Sequence, residues 1–402
     1  MTEWKEYKFS DFVDINPLVR IPQNIPISFV EMKDLDPSMR YCESSQLKLL
    51  SGGSRFINGD TLFARITPCL ENGKICQVRY LQNNIGFGST EFHVFRAKNG
   101  ISDTNFVYYL SRWNEVREHA ELNLEGSSGR QRVSKEAFDN LYLLLPPLPE
   151  QIRIASILSS LDDKIDLLHR ENKTLEAMAE TLFRQWFIEE AKEDCEEKHL
   201  SDYVIDTLGG DWGKENPEGD FIKPVQCIRG TDIADLSVGL ATKTPIRYVK
   251  ESKFEKIEPR NGDIIMEISG GTEKQSTGRV AYVNDEVKTL FDYPIIFSNF
   301  CRLLRVKEEH TYFIYCYLKY LYDQDEFFNL ENGSSGIKNL DYKTLLYEIT
   351  YPMPNDKLQI LDFNDNVSVY FEKINRNKKQ IKTLIQQRDS LLPKLMSGEV
   401  KI

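Results

Sequence analysis

The sequence predicts an α+β chain of two similar globular units, each followed by a long helix, with the two helices paired as an antiparallel coiled coil. Three observations carry this. The first is a repeat: Ser10-Asp11-Phe12-Val13 returns as Ser201-Asp202-Tyr203-Val204, and Asn58-Gly59-Asp60 as Asn261-Gly262-Asp263. Gly126-Ser127-Ser128-Gly129 returns as Gly333-Ser334-Ser335-Gly336, and Pro147-Leu148-Pro149 as Pro352-Met353-Pro354. The order is kept and the offsets drift only between 191 and 207, as in a duplicated unit. The second is alternation of apolar and polar residues within each unit, which marks strands. The third is a 3-4 apolar spacing sustained over four heptads after each unit, which marks a coiled-coil seam. The expected boundaries are 1–149 and 191–355 for the units, 150–190 and 356–402 for the helices.

Taken along the chain, residues 90–95 and 301–306 alternate as strands, and the aromatic runs 106–110 and 313–318 read as core helices at matching places. Pro149 and Glu150 suit a first helical turn, because proline needs no N–H there and a carboxylate favours the helix dipole. Pro354-Asn355-Asp356 offers a cap to the second helix instead. The first seam runs Leu158, Leu161, Ile165, Leu168, Asn172, Leu175, Ala179, Leu182, Trp186. The second runs Phe363, Val367, Tyr370, Ile374, Asn377, Ile381, Leu384, Arg388, Leu391. Each carries one asparagine. Opposing Asn172 to Asn377 in an antiparallel pair makes partner numbers add to 549 and sets apolar residues opposite one another at every level except Leu161 with Arg388. A helix of about 38 residues spans roughly 57 Å.

Composition narrows the function. The 402 residues are 41% hydrophobic and 28% charged, which excludes disordered and fibrous chains. No run is apolar enough to span a membrane, and the opening residues lack a secretion-signal pattern, so a cytoplasmic chain is expected. Seven cysteines without a C-x-x-C pair indicate neither a disulfide framework nor a zinc site. The net charge of −11 argues against binding nucleic acid through bulk charge, so any such contact must be local.

No catalytic constellation is present in the sequence: there is no phosphate loop, no G-x-S-x-G elbow and no H-E-x-x-H. Cys195 and His199 are the one pair at ligand spacing, and they lie in a charged linker, so no metal site is assigned. Several E-x-K triplets, such as Glu31-Met32-Lys33, are expected by chance at 28% charged residues, and no Pro-Asp of a nuclease motif precedes them. Two polar, glycine-bounded loops in each unit are the candidate contact sites. In the first unit they hold Arg65, Thr67, Asn72 and Lys74, then Gly126, Ser127, Ser128, Gly129, Arg130, Gln131 and Arg132. Arginine can read guanine and asparagine adenine, while lysine meets phosphate and free N–H groups beside cations suit an anion. Ser269, Lys274, Gln275, Thr277 and Arg279, then Ser334, Ser335 and Lys338, hold the corresponding places in the second.

The turn at residues 145–151 (Leu-Pro-Pro-Leu-Pro-Glu-Gln), the C-terminal Leu391-Leu392-Pro393-Lys394-Leu395-Met396-Ser397-Gly398-Glu399-Val400 and the two-unit plan together resemble the specificity subunits of type I restriction-modification systems. The second unit departs by lacking the Glu-Gln and one of the two cations after its glycine loop. The resemblance implies two target recognition domains, each reading one half of a bipartite, asymmetric DNA target, with the helices as spacer and docking surface. It implies partners: double-stranded DNA, two modification (methyltransferase) subunits and restriction subunits. S-adenosylmethionine, Mg and ATP would be bound by those partners and no cofactor by this chain. The competing readings are a coiled-coil scaffold whose units bind protein or another ligand, which the acidic charge favours, and a self-contained endonuclease or methylase.

Overall fold

The computed structural model describes residues 3–22, 24–127, 129–190, 195–237, 244–273, 275–333 and 337–402. Of the repeated strings, Pro147-Leu148-Pro149 opens the central helix whereas Pro352-Met353 ends a strand, and residues 128 and 334–336 of the glycine strings lie outside the described residues. The Ser-Asp and Asn-Gly-Asp strings occupy matching places in two compact units, Met1–Asp166 with Leu384–Ile402 and Leu167–Thr383. These limits differ from the sequence boundaries because each globular core takes in part of both helices. Ile154, Ala155 and Leu158 of the central helix and Leu392, Leu395 and Met396 of the C-terminal helix are buried in the first core. Ala179, Phe183, Phe363, Val367 and Phe371 are buried in the second.

In the first unit, Lys5–Lys8 pairs antiparallel with Tyr142–Leu145, the strand that leads into the central helix. A five-stranded sheet follows the order Val13–Ile15, Phe92–Ala97, Thr61–Ala64, Ile75–Val78, Tyr41–Cys42. A second sheet is ordered Gln46–Lys48, Ile27–Val30, Ile85–Gly88, Ser54–Ile57, with its inner pair parallel. The second unit repeats the plan: Glu196–His199 pairs with Thr350–Met353, and a sheet runs Val204–Gly209, Cys301–Val306, Ile264–Glu267, Val280–Tyr282. Its other sheet, Ile246–Val249, Lys223–Ile228, Ile295–Phe297, again contains one parallel pair. The strand that precedes Asn58 gives way to the helix Glu251–Ile257 before Asn261.

The repeated Asn-Gly-Asp has one physical job in both copies. Gly59 and Gly262 take φ of 90° and 87°, where a side chain is strained, and so turn the chain into the central strand. The aspartate then closes the turn: Asp60 accepts from the Ile57 N–H and pairs with Arg96 at 2.6 Å. Asp263 accepts from the Arg260 N–H and pairs with Arg305 at 3.1 Å. Burial pushes the Asp60 carboxyl up, against the pull of Arg96.

The aromatic run at 106–110 lies in the helix Thr104–Arg112, entirely buried, and that at 313–318 in Thr311–Asp323. Asp103 caps the first of these through the Asn105 and Phe106 amides. Gln151 of the proline turn, 1% exposed, accepts from the Asp103 N–H and donates to the Ile101 and Pro146 carbonyls. The missing Glu-Gln of the second unit is compensated by Asn364. It accepts from the Tyr312 and Phe313 amides and donates to the Ile360 carbonyl.

The central helix runs Leu148–Arg184, with a π turn at Gln185–Glu189, and the C-terminal helix Lys357–Met396, where Asp356 accepts from the Leu358 N–H. The helices pair antiparallel. Asn377 Nδ2 donates to Asn172 Oδ1 at 2.8 Å, and the Trp186 and Phe363 rings lie 6.1 Å apart; in both pairs the residue numbers add to 549. The asparagines sit at equivalent repeat positions, 205 residues apart, buried to 5% and 1% exposure.

A buried polar pair fixes register at some cost in stability. Replacing Asn172 and Asn377 together by leucine is therefore expected to leave the melting temperature unchanged or raised while admitting slipped registers. Spin labels on exposed Lys173 and Arg376 would report one narrow distance in the parent chain. In the double variant, additional distances are expected from slips of about 10 Å per heptad. A single narrow distance in both would contradict the assignment.

Candidate nucleic-acid interface

The two loops of each unit come together as one backbone ribbon. In the first unit Leu124–Glu125 and Arg132–Val133 form a hairpin, and Ile66 bridges to Arg132 as the chain leaves the strand Thr61–Ala64. The Val133 N–H donates to the Arg65 carbonyl at 2.9 Å, the Thr67 N–H to the Gln131 carbonyl at 3.0 Å, and the Arg65 N–H to the Glu91 carbonyl at 3.0 Å. Thr67 Oγ1 accepts from the Gln131 N–H, and the side chain is buried, so Thr67 frames the ribbon. Beneath it His93 is fully buried. Burial pushes its pKa down to about 4, and the neutral ring bonds the Val133 carbonyl through Nε2 and the Asn16 amide through Nδ1.

Gly126, Ser127, Gly129 and Arg130 are exposed at the hairpin tip, and Ser128 lies outside the described residues. Arg132 is held by Glu91 through Nε at 3.0 Å and Nη2 at 2.7 Å, and its side chain remains 41% exposed. Arg65 is half-buried, and its Nε is a buried donor without a partner among the described residues. Asn72 is exposed on the tight turn that follows Thr67. Lys74, expected as a free phosphate contact, is half-buried and donates to the Met32 carbonyl at 2.7 Å, so it also braces the fold.

In the second unit Ser269–Gly270, Lys338–Leu340 and Glu331–Asn332 form the equivalent ribbon, with Ser269 opposite Asn339 and Gly270 opposite Lys338. Gln275 is exposed. Thr277, expected at the contact surface, is instead fully buried, and its N–H donates to Glu331. Arg279 is clamped by buried Glu267 at 2.9 and 2.7 Å, and Lys338 by Glu331 at 2.7 Å. Lys274, Ser334 and Ser335 lie outside the described residues. The bracing carboxylates Glu91, Glu267 and Glu331 were not singled out in the sequence, where nothing distinguishes them from other acidic residues. Among the described residues no cluster of three or more metal-ligand side chains occurs, and His199 Nδ1 bonds the Ile349 carbonyl. No helix among them is long and apolar enough to cross a membrane.

The family model described as the type I restriction modification DNA specificity domain matches residues 1–177 and again 224–384. The chain belongs to this family. The resemblance seen in the sequence is thus the family shown. A curated relative in it, the specificity subunit of the type I restriction enzyme EcoAI of Escherichia coli, is 30% identical over 176 residues, 42% of this chain and 30% of that one. That of HindI of Haemophilus influenzae is 29% identical over 265 residues, 64% of this chain and 54% of that one. That of MjaIX of Methanocaldococcus jannaschii is 27% identical over 329 residues, 76% and 71% of the two chains. The matched stretches span less than a third of the E. coli specificity subunit and about half of the H. influenzae one. Among solved structures, the S subunit of a type I restriction-modification system from M. genitalium superposes with a TM-score of 0.50 at 16% identity, over 98% of this chain and 96% of that one. This last likeness is one of fold.

Proposed function

We propose that the chain is a non-catalytic, sequence-specific DNA-binding subunit of a type I restriction-modification complex, each unit serving as a target recognition domain for one half of a bipartite, asymmetric target. Two modification subunits would methylate adenine with S-adenosylmethionine, and restriction subunits would join them for Mg- and ATP-dependent cleavage. The observation that carries the reading is the duplicated ribbon: two polar loops of each unit, far apart in sequence, lie side by side through the same backbone hydrogen bonds. Paired readers suit two half-sites on successive turns of a duplex. Arg65, Asn72, Gly126, Ser127, Ser128, Gly129, Arg130, Gln131 and Arg132 are the contact residues proposed for the first half-site, and Ser269, Lys274, Gln275, Arg279, Ser334, Ser335 and Lys338 for the second. Thr67, Lys74 and Thr277 act through the frame.

Replacing Arg65 with alanine is expected to weaken binding to the cognate duplex by roughly 1 to 3 kcal/mol and to relax one base position, as loss of a bidentate guanine contact would. Arg130→Ala should weaken all sequences alike and reduce the salt slope by about one. Binding isotherms of the assembled complex over a salt series distinguish the two. Unchanged affinity in both variants would remove the ribbon from the interface and favour the scaffold reading.

A further inference from the structure

The two ribbons share a backbone and differ in chemistry. Equivalent positions follow from equivalent hydrogen bonds. The Arg65 N–H donates to the Glu91 carbonyl at 3.0 Å, as the Ile268 N–H does to the Phe300 carbonyl at 2.8 Å. The Val133 N–H donates to the Arg65 carbonyl at 2.9 Å, as the Leu340 N–H does to that of Ile268 at 3.0 Å. Arg65 therefore corresponds to Ile268, Glu91 to Phe300 and Arg132 to Asn339. Arg130, the residue after the Gly-Ser-Ser-Gly string, corresponds to Ile337. Three arginines and a glutamate in the first ribbon are thus replaced by two isoleucines, an asparagine and a phenylalanine in the second. Arg279 and Lys338, near the second ribbon, are already paired with Glu267 and Glu331.

Phe300 and Ile337 are 54% and 56% exposed. Single exposed apolar side chains are ordinary on a protein surface. Here both occupy positions that carry charge in the duplicate and border the strand Lys338–Leu340 or its partner Ser269–Gly270. In the major groove the feature that an apolar side chain can recognise is the thymine methyl, whereas guanidinium groups match guanine O6 and N7. Asn339, exposed on the same strand, carries an amide of the kind that meets adenine.

We propose that the second unit reads its half-site by apolar contact of Phe300 and Ile337 with thymine methyl groups at T·A pairs, while the first reads guanine through Arg65. The inference rests on the chain being a DNA reader. Its test uses the full chain assembled with its modification subunits and duplexes of the mapped target in which single thymines are replaced by deoxyuridine, which removes the methyl and nothing else. Deoxyuridine at the contacted position of the second half-site is expected to weaken binding about fourfold, the worth of one buried methyl group, and to have no such effect in the first half-site. Phe300→Ala or Ile337→Ala, whichever side chain meets the substituted thymine, should bind the thymine and deoxyuridine duplexes equally, with the salt slope unchanged because no phosphate contact is lost. The proposal is overturned by a second half-site without a T·A pair, or by equal binding of both duplexes to the parent chain. It is overturned equally by a thymine preference that survives in both Phe300→Ala and Ile337→Ala. Weakened subunit assembly with duplex binding unchanged would assign the patch to a protein and also overturn it. Absence of sequence-specific binding to any duplex would instead overturn the DNA-reader reading itself.

Discussion

Replacing Asp162 with alanine is expected to destabilise the first unit by about 3 to 5 kcal/mol, the usual cost of leaving the other half of a buried ion pair uncompensated. Arg388 Nη1 meets Asp162 Oδ1 at 2.8 Å with side-chain exposures of 3% and 2%, and the Tyr109 hydroxyl donates to Asp162 Oδ2 at 2.6 Å. Without the carboxylate, among the described residues the guanidinium keeps its ion pair with Asp389, 55% exposed, and the tyrosine hydroxyl keeps the long contact from Arg40. The duplicate shows what the same level of the helix pair looks like without charge: the positions 205 residues away are Val367 and Phe183, both buried. A chain carrying Asp162→Val, Arg388→Leu and Tyr109→Phe removes both charges and the hydroxyl together. It is expected to unfold within about 1.5 kcal/mol of the parent, because a well-packed apolar replacement of a buried pair is often neutral. Urea unfolding of the three chains measures both differences. Equal stability of Asp162→Ala and the parent would show that the pair contributes nothing to the fold.

Lys378→Met is expected to stabilise the second unit at pH 7 by up to about 3 kcal/mol. Lys378 is 5% exposed on the C-terminal helix. Burial pushes its ammonium pKa down to about 8; the attraction of Glu176 opposes this and the nearby Lys319 adds to it. The folded chain thus releases this proton near pH 8, while the unfolded chain holds it to about 10.4. Between those values the unfolded state binds more protons, so the parent gains stability as pH rises and forfeits it as pH falls through the folded value. Lys378→Met should lack that rise and should be more stable than the parent below pH 8. Thermal unfolding of both chains from pH 7 to 10.5 tests this, and a variant less stable than the parent at pH 7 would mean that the ammonium has a satisfied role in the core.

What was legible in the sequence depended on how local each signal was. The seam was legible because a 3-4 spacing needs only one helix, and the Asn172–Asn377 pair because each seam holds one asparagine. Arg388 stood out as a mismatch with Leu161 because its acceptor is off the seam by one residue and the rest of the network arrives from Tyr109 on another element. The unit boundaries were placed at helix ends because nothing along a helix marks which half a neighbouring core will bury. In the candidate interface the loops were legible from glycines and polar residues, and Arg65, Arg130 and Gln275 do lie at or near the surface. The engagement of Arg132 by Glu91, 41 residues away, was not, nor was the burial of Thr277, since both depend on strand pairings formed only in three dimensions. The correspondence of Arg65 with Ile268 likewise needed the hydrogen bonds, because the loops differ in length and composition.

Selection of a bipartite DNA target by this chain, one unit for each half, is measured by mapping methylated adenines on DNA treated with the modification subunits and either the parent chain or Arg65→Ala. One asymmetric two-part target is expected for the parent, no such modification when the chain is omitted, and relaxation within a single half for the variant. A contiguous target, a target that persists without the chain, or a variant that alters both halves at once would contradict that selection.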